Sequence, residues 1–332
     1  MKKMNINILN AAIGMVAFIG AGCLSAPASA QVVSHLEEKE IQLSEFNAID
    51  IEDDFEVTLV QGAYAVRVSV DADLAPYVEK YVKSKTLYVS YDEKAVPKDI
   101  KKNYKGKNAI APVFRVVVYM PEIESITLSD NASLTGTGEF ISSKFKLNLK
   151  DKAQVKTLSI NTSTADISMK RNAQAALSIQ AERSVEATLD GNANMKLSLN
   201  AKELAVNASG SAIVAASGKV NTLNLTASNS AELNISLDTN IAKLTGEGSS
   251  KMTLTGSADE LNVKGVRSST IDALNFHVTD CVADLSNSAL LNVDAAKTLT
   301  TTLNGGSVYY TGTPEFKIVK IIKSTLAPYG TK

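Results

Sequence analysis

Apolar residues recur along this chain with two superposed periods. At short range they alternate with polar residues, and at long range the same alternation restarts about every 19 to 20 residues. Between residues 123 and 312 a small residue, usually Ala or Ser behind Asn or Ser, returns at Ala132, Ala153, Ala173, Ala193, Ala212, Ala231, Ser250, Ser269, Ala289 and Ser307. The steps are 21, 20, 20, 19, 19, 19, 19, 20 and 18 residues. Two positions after these markers stand Leu134, Val155, Ala175, Met195, Val214, Leu233, Met252, Ile271, Leu291 and Tyr309. Four positions before them stand Leu128, Leu149, Met169, Leu189, Ala208, Ala227, Gly246, Gly265, Leu285 and Leu303, a column that narrows in its middle. The neighbours five before the marker are mostly polar: Thr127, Asn148, Ser168, Thr188, Asn207, Thr226, Thr245 and Lys264. A local period of two predicts strands with one face inward. The long period predicts stacked units that bury one another's apolar faces.

Each unit reads as strand, tight corner, strand, with corners at pairs such as Asn131-Ala132, Gly210-Ser211 and Gly248-Ser249. Asn and Gly tolerate the left-handed backbone that such a corner requires. Leucine-rich repeats have a similar length, and Ile123, Ile126, Leu128 and Asn131 imitate their signature, as Ile167, Met169 and Asn172 do in part. Most later rows lack that Asn, and Thr, Ser and Val occupy the stretch where a helical side would need helix formers. The pattern therefore predicts an all-β chain, a right-handed parallel β-solenoid (β-helix) of about ten coils with an N-terminal β cap. The open ends of such a stack expose strand edges, so capping segments are expected at both.

The flanks divide accordingly. Residues 1–30 combine Lys2 and Lys3, an apolar run from Ala11 to Leu24, and Ala28-Ser29-Ala30, the form of a secretory signal with a small-residue cleavage site. Lipid attachment at Cys23 is the competing reading. Residues 31–45, acidic at Glu37, Glu38 and Glu40, read as a tether. Residues 46–121 read as a β region capping the solenoid, and seven of the ten tyrosines fall between Tyr64 and Tyr119. Within it Leu74, Tyr77, Val78 and Tyr81 follow helical spacing, so one short helix is expected over residues 74–83. The solenoid proper spans 122–313. Residues 314–332, with Phe316, Ile318, Ile321 and Ile322, read as a segment covering its far end.

Charge and chemistry narrow the function. The formal charge of −1 becomes −3 once Lys2 and Lys3 leave with the signal, and carries no basic footprint for nucleic acid. Cleavage after Ala30 leaves Cys281 alone, so no disulfide within the chain is expected; a buried structural cysteine is. The two histidines, His35 and His277, are too few for a His-rich metal site, and no phosphate-binding or nucleophile-elbow motif occurs. Asp272, Asp284 and Asp294 fall in different columns, whereas Asp130 and Asp151 share one that continues as Arg171, a pattern of corner chemistry. No transmembrane segment is expected in the mature chain, and no cofactor.

One stretch stands apart as a candidate site. Residues 97–108 place Lys98, Lys101, Lys102, Lys105 and Lys107 around Tyr104, which suits a basic loop meeting anionic glycans or lipid phosphates as well as a plain solvated loop. The Thr, Ser and Asn ladders on the outer faces could bind a partner through many weak hydrogen bonds or serve only as solvated surface.

The chain also resembles a known family. Phe46-Asn47-Ala48-Ile49-Asp50-Ile51, Val60-Gln61-Gly62, Val66-Arg67-Val68 with Asp71-Ala72-Asp73-Leu74, and Leu87-Tyr88-Val89 are similar to the auto-transporter adhesin head GIN domain family. So are Ser209-Gly210-Ser211-Ala212 and the closing run from Asn304 to Pro314. The resemblance implies an exported bacterial β-helical protein, adhesin-like, with no catalytic residues to carry over. The sequence departs from the family in corners built from Asn-Ala and in the lysine-rich insertion around Tyr104.

Taken together, these features point to a non-catalytic, exported, adhesin-like binding module at the cell surface or in the periplasm, with an envelope or host glycan or protein as partner. A glycan-active β-helix enzyme of polysaccharide lyase or hydrolase type, and a structural envelope protein, are the alternatives.

Overall fold

A computed structural model describes residues 36–41, 43–105, 109 and 111–330. The expected export signal, Cys23, His35 and Lys107 lie outside the described residues. The described part is nearly all β, a parallel β-solenoid of about 11 turns.

The first strands are β1 (Leu36–Ile41), β2 (Ala48–Ile51), β3 (Glu56–Gln61), β4 (Ala65–Asp71), β5 (Val78–Lys83) and β6 (Thr86–Tyr91). A short helix α1 (Lys98–Asn103) follows, then β7 (Phe114–Met120) and β8 (Ser125–Leu128). The repeating region contributes β9 (Ser133–Leu149), β10 (Gln154–Arg171), β11 (Gln174–Gly191), β12 (Asn194–Asn200), β13 (Glu203–Ala208), β14 (Ile213–Lys219) and β15 (Thr222–Ala227). It ends with β16 (Glu232–Gly246), β17 (Lys251–Val266), β18 (Thr270–Ser286), β19 (Leu290–Asn304), β20 (Ser307–Thr311), β21 (Glu315–Ile322) and β22 (Thr325–Pro328).

Two parallel faces run through the stack. On one, β7 pairs with β3, then come β9, β10, β11, β12, β14, β16, β17, β18, β19, β20 and β22. On the other, β6 pairs with β2, then come β8, β9, β10, β11, β13, β15, β16, β17, β18, β19 and β21. Long strands such as β10 bend and serve both faces. At the N-terminal end the pairing turns antiparallel, with β4 on β7, β1 on β4 and β5 on β6.

The inward columns align row by row. Val57, Leu134, Val155, Ala175, Met195, Val214, Leu233, Met252, Ile271 and Leu291 lie beneath one another and are buried. In the last row the partner of Leu291 is Val308 and not Tyr309, so the marker place falls to Gly306 instead of Ser307. This corner is closed by one residue fewer than the one before it, and only glycine fits the resulting close approach, since a Cβ on Gly306 would meet the Leu285 Cβ at 2.6 Å.

The corners themselves form a ladder. Asp53, Asp130, Asp151, Arg171, Gly191, Gly210, Asn229, Gly248, Arg267 and Asn287 all have positive φ. In most rows the next amide donates to the left-handed residue one coil earlier, as in Asn131 to the Asp53 carbonyl (3.1 Å), Lys152 to Asp130 (2.8 Å) and Asn172 to Asp151 (2.8 Å). Left-handed backbone at a non-glycine residue is unfavourable in isolation, and Asp and Asn are among the residues that tolerate it best. The repeated cross-row hydrogen bond offsets that cost. In the first row the left-handed residue is thus Asp130 and not Asn131.

Three segments differ from expectation. Residues 74–83 form a single 3-10 turn, Ala75–Tyr77, and then strand β5, not one helix. Val78, Tyr81 and Val82 favour extended backbone, and pairing with β6 stacks Tyr81 on Tyr88 at 5.1 Å. Within the expected tether, Leu36–Ile41 is the edge strand β1. Phe316 to Ile322 do not fold over the end of the stack; they add β21 to it as a further rung.

Candidate functional site

A recess lies where the left-handed corner between β2 and β3 meets α1. It encloses about 390 Å³ and is lined by Asp53, Asp54, Leu74, Tyr91, Glu93, Lys101, Tyr104, Lys105, Pro112, Phe114, Asp130 and Asn131.

Backbone geometry fixes its acidic wall. Asp53 and Asp130 occupy successive corners, tied by the amide of Asn131. Asp53 accepts a hydrogen bond from the Tyr91 amide at 2.7 Å, and Asp54 accepts one from the Asn131 side chain at 2.7 Å. The opposite wall is aromatic. Tyr91 packs on Phe114 with centroids 4.6 Å apart, and Phe114 meets Phe55 edge-on at 5.3 Å.

The lysine-bearing segment is held against this recess. Asp92 caps a turn at Glu93–Ala95 by accepting from the Lys94 and Ala95 amides at 3.0 and 3.2 Å. Val96 is buried, and Ile100 and Tyr104 pack on the core. The Tyr104 hydroxyl donates to Asp73, which leaves the ring to line the recess. Of the candidate residues, Lys101, Tyr104 and Lys105 line the cavity; Lys98 and Lys102 are exposed and do not. Lys105 pairs with Glu93 at 3.9 Å.

The field in the recess is negative. Its lining holds four carboxylates, Asp53, Asp54, Glu93 and Asp130, against Lys101 and Lys105, which leaves two negative charges in excess. Burial raises the Asp53 carboxyl above the usual range, the hydrogen bond from Tyr91 opposes this, and Asp130, Asp54 and Glu93 add to the rise. Burial likewise raises Glu52, helped by Asp50, Asp53 and Asp130. Tyr91 and Tyr104 are pushed upward first by burial; the Asp73 hydrogen bond adds to it at Tyr104.

Asp53, Asp54, Tyr91 and Glu93 carry no motif in the sequence. The one legible signal was the shared column of Asp130 and Asp151, whose earlier member is Asp53. A second recess of about 380 Å³ brings Lys219, Asp238, Asp259 and His277 together; the remaining candidates lie apart. Asp151 pairs with Arg171, His277 pairs with Asp294 and is exposed, and burial pushes the Cys281 thiol up to about 12. Of the outward ladder Ser159, Ser178, Ser198, Ser217 and Ser236, the last four border only a shallow groove. Among the described residues no group of three His, Cys, Asp or Glu is placed to hold a metal ion, and no helix is long and apolar enough to cross a membrane.

Comparison with known proteins bears on this fold. No curated protein matches the chain. Among solved structures, a "putative adhesin" from Parabacteroides merdae is 18% identical with a TM-score of 0.35, covering 88% of this chain and 95% of that one. A "putative lipid binding protein" from Parabacteroides distasonis is 16% identical with a TM-score of 0.35, covering 89% and 97%. A "putative adhesin" from Bacteroides fragilis is 13% identical with a TM-score of 0.30, covering 89% and 97%. The family model "Putative auto-transporter adhesin, head GIN domain" matches residues 45–184, 172–237 and 221–314, and with the repeat and corner ladder already in place the chain belongs to that adhesin-like family.

Proposed function

We propose that the chain is a non-catalytic binding module exported to the bacterial envelope, and that it holds a glycan in the recess between α1 and the first two corners. The observation that carries this reading is the composition of the cavity wall. Tyr91, Tyr104 and Phe114 offer aromatic surface for the apolar side of a sugar ring, while Asp53, Asp54 and Asp130 offer acceptors for hydroxyls and Lys101 offers a donor. Such a mixture of apolar wall and a few placed polar groups is what small-ligand sites use. The excess of negative charge favours neutral or amine-bearing sugars over anionic ones, because an anion entering here meets four carboxylates.

The test is a glycan array on the full-length chain, followed by calorimetry with Tyr91→Ala and Asp54→Ala. Neutral or amino glycans should bind, with affinity falling about tenfold or more in each variant. Preferential capture of anionic glycans, lost when Lys98, Lys101, Lys102, Lys105 and Lys107 become Ser, would assign the lysines and not the carboxylates as the ligand contacts. Binding unchanged in all variants would remove the recess from consideration.

One observation favours a second reading. Four carboxylates and two lysines line this single recess, and hydrolysis of a glycosidic bond uses a pair of carboxyl groups flanking it. Shortening of a bound oligosaccharide on incubation, abolished by Asp53→Asn, would establish cleavage over simple binding.

A further inference from the structure

The last rung of the solenoid has a different surface from every rung before it. All eight residues of β21 are exposed. Phe316, Ile318 and Ile321 pair with Leu299, Thr301 and Leu303, which are buried inward positions, so these three side chains point toward the solenoid interior. Among the described residues no later strand on this face covers them, and they are 40%, 58% and 39% exposed. Val319 sits at a register shift between Thr301 and Thr302 and is 71% exposed, and Ile322 is 43% exposed. Lys317 and Lys320 pair with the outward Thr300 and Thr302 and so flank the same edge from its outer side, with Lys323 just beyond; all three are exposed, and Glu315 is the only acid in the strand.

We infer that this C-terminal end docks on a lipid bilayer rich in acidic headgroups. The argument is one of complementarity. The chain as a whole carries a formal charge of −1, so a local set of three lysines beside five exposed apolar side chains is not a reflection of average composition. Apolar residues flanked by lysines suit the headgroup boundary, where lysine ammonium groups meet phosphates and aliphatic side chains enter the upper acyl region. The unpaired amides and carbonyls along β21 set the depth, because an open sheet edge is not tolerated in the hydrocarbon but is hydrated at the interface. The lysines oppose the other obvious use of such an edge. In an antiparallel pairing of two copies of β21 centred on Ile318 and Val319, Lys317 would face Lys320, and like charges directly opposite are destabilising.

The test is vesicle co-sedimentation of the full-length chain, using phosphatidylcholine vesicles with and without 30% phosphatidylglycerol. Binding is expected on the anionic vesicles only and should fall with added salt. The triple variant Lys317→Ser, Lys320→Ser, Lys323→Ser should bind roughly a hundredfold more weakly, at about 1 kcal/mol for each lysine. The double variant Ile318→Ser, Val319→Ser should also lose binding, with only a small fall in thermal stability because both side chains are more than half exposed. A control triple variant, Lys243→Ser, Lys251→Ser, Lys264→Ser, removes the same charge from outward positions on earlier rungs and should bind like the parent. Equal losses in the two triple variants, equal binding to uncharged vesicles, or a concentration-dependent dimer abolished by Ile318→Ser, Val319→Ser without vesicle binding would each overturn the inference.

Discussion

Ser269 stands where a side chain on Gly246 would have to go. A Cβ on Gly246 would meet the Ser269 Cβ at 3.0 Å and its hydroxyl at 3.3 Å. At Gly265 an added Cβ would meet the Leu285 Cδ2 at 2.7 Å and the Ala289 Cβ at 3.0 Å before the Ser269 hydroxyl at 3.3 Å. The two inward columns thus compensate each other in size, with Ser at the marker where the facing column falls to Gly. The Ser250 and Ser269 hydroxyls are buried and have no hydrogen-bond partner.

Two opposite effects are expected at this contact. Gly246→Ala overpacks the coil and should destabilise by about 1–3 kcal/mol. Ser269→Ala removes a buried unpaired hydroxyl and should stabilise by about 1 kcal/mol. Urea unfolding measures both, and the double variant Gly246→Ala, Ser269→Gly should lose less than the separate losses of Gly246→Ala and Ser269→Gly added together.

Gly218 provides a sharper case. Its φ is +139°, and a Cβ there would stand 1.8 Å from the Leu199 carbonyl oxygen in the coil before. Backbone cannot yield as a flexible side chain can, so Gly218→Ala is expected to be more damaging than Gly246→Ala. Thermal unfolding of the two variants side by side tests the order; equal midpoints would contradict it.

Asp53 links the recess to pH. Its folded-state pKa is raised above the ordinary carboxylate value, so the folded state holds the proton more tightly than the unfolded chain. Ionisation of Asp53 therefore weakens the fold as pH rises through the carboxylate range. Asn can accept from the Tyr91 amide and tolerates left-handed backbone. Asp53→Asn should raise the melting temperature at pH 7, and the gain should vanish near pH 3, where Asp53 is itself protonated. A gain that persists in acid would argue against this origin.

Cys281 gives an alkaline counterpart. Burial pushes its thiol up to about 12 from an ordinary 9.0. The stability that this contributes is complete below pH 9 and is lost as pH rises toward 12. At pH 8.5 a maleimide should leave Cys281 unmodified in the folded chain and label it at once in denaturant, as peptide mass spectrometry would show.

The coil interval, the two inward columns and the corner positions were legible because each recurs, so a single odd row cannot hide the pattern. Legibility failed where repetition stops. The Leu74 to Tyr81 spacing imitates a helix, but only the partner strand β6 reveals that Val78 and Tyr81 are extended. Tyr309 fitted the inward column by counting, and only the pairing of Leu291 with Val308 reveals that the last corner is one residue shorter. The recess was half visible. The lysines announced themselves as a run, while Asp53 and Asp54 gained meaning only when the chain wound back to set Tyr91, Glu93 and Asp130 beside them.

The corner hydrogen bonds that tie each left-handed residue to the coil before it have a mechanical corollary. A tension applied along the axis from the Tyr329 end loads one turn at a time, since each turn is held mainly by its immediate neighbour. Freeing a turn of about 19 residues releases about 65 Å of chain, against the roughly 4.8 Å it occupied when stacked. Such a filament lengthens in discrete increments under load, each release leaving the remaining turns wound and able to take up slack again when the force drops.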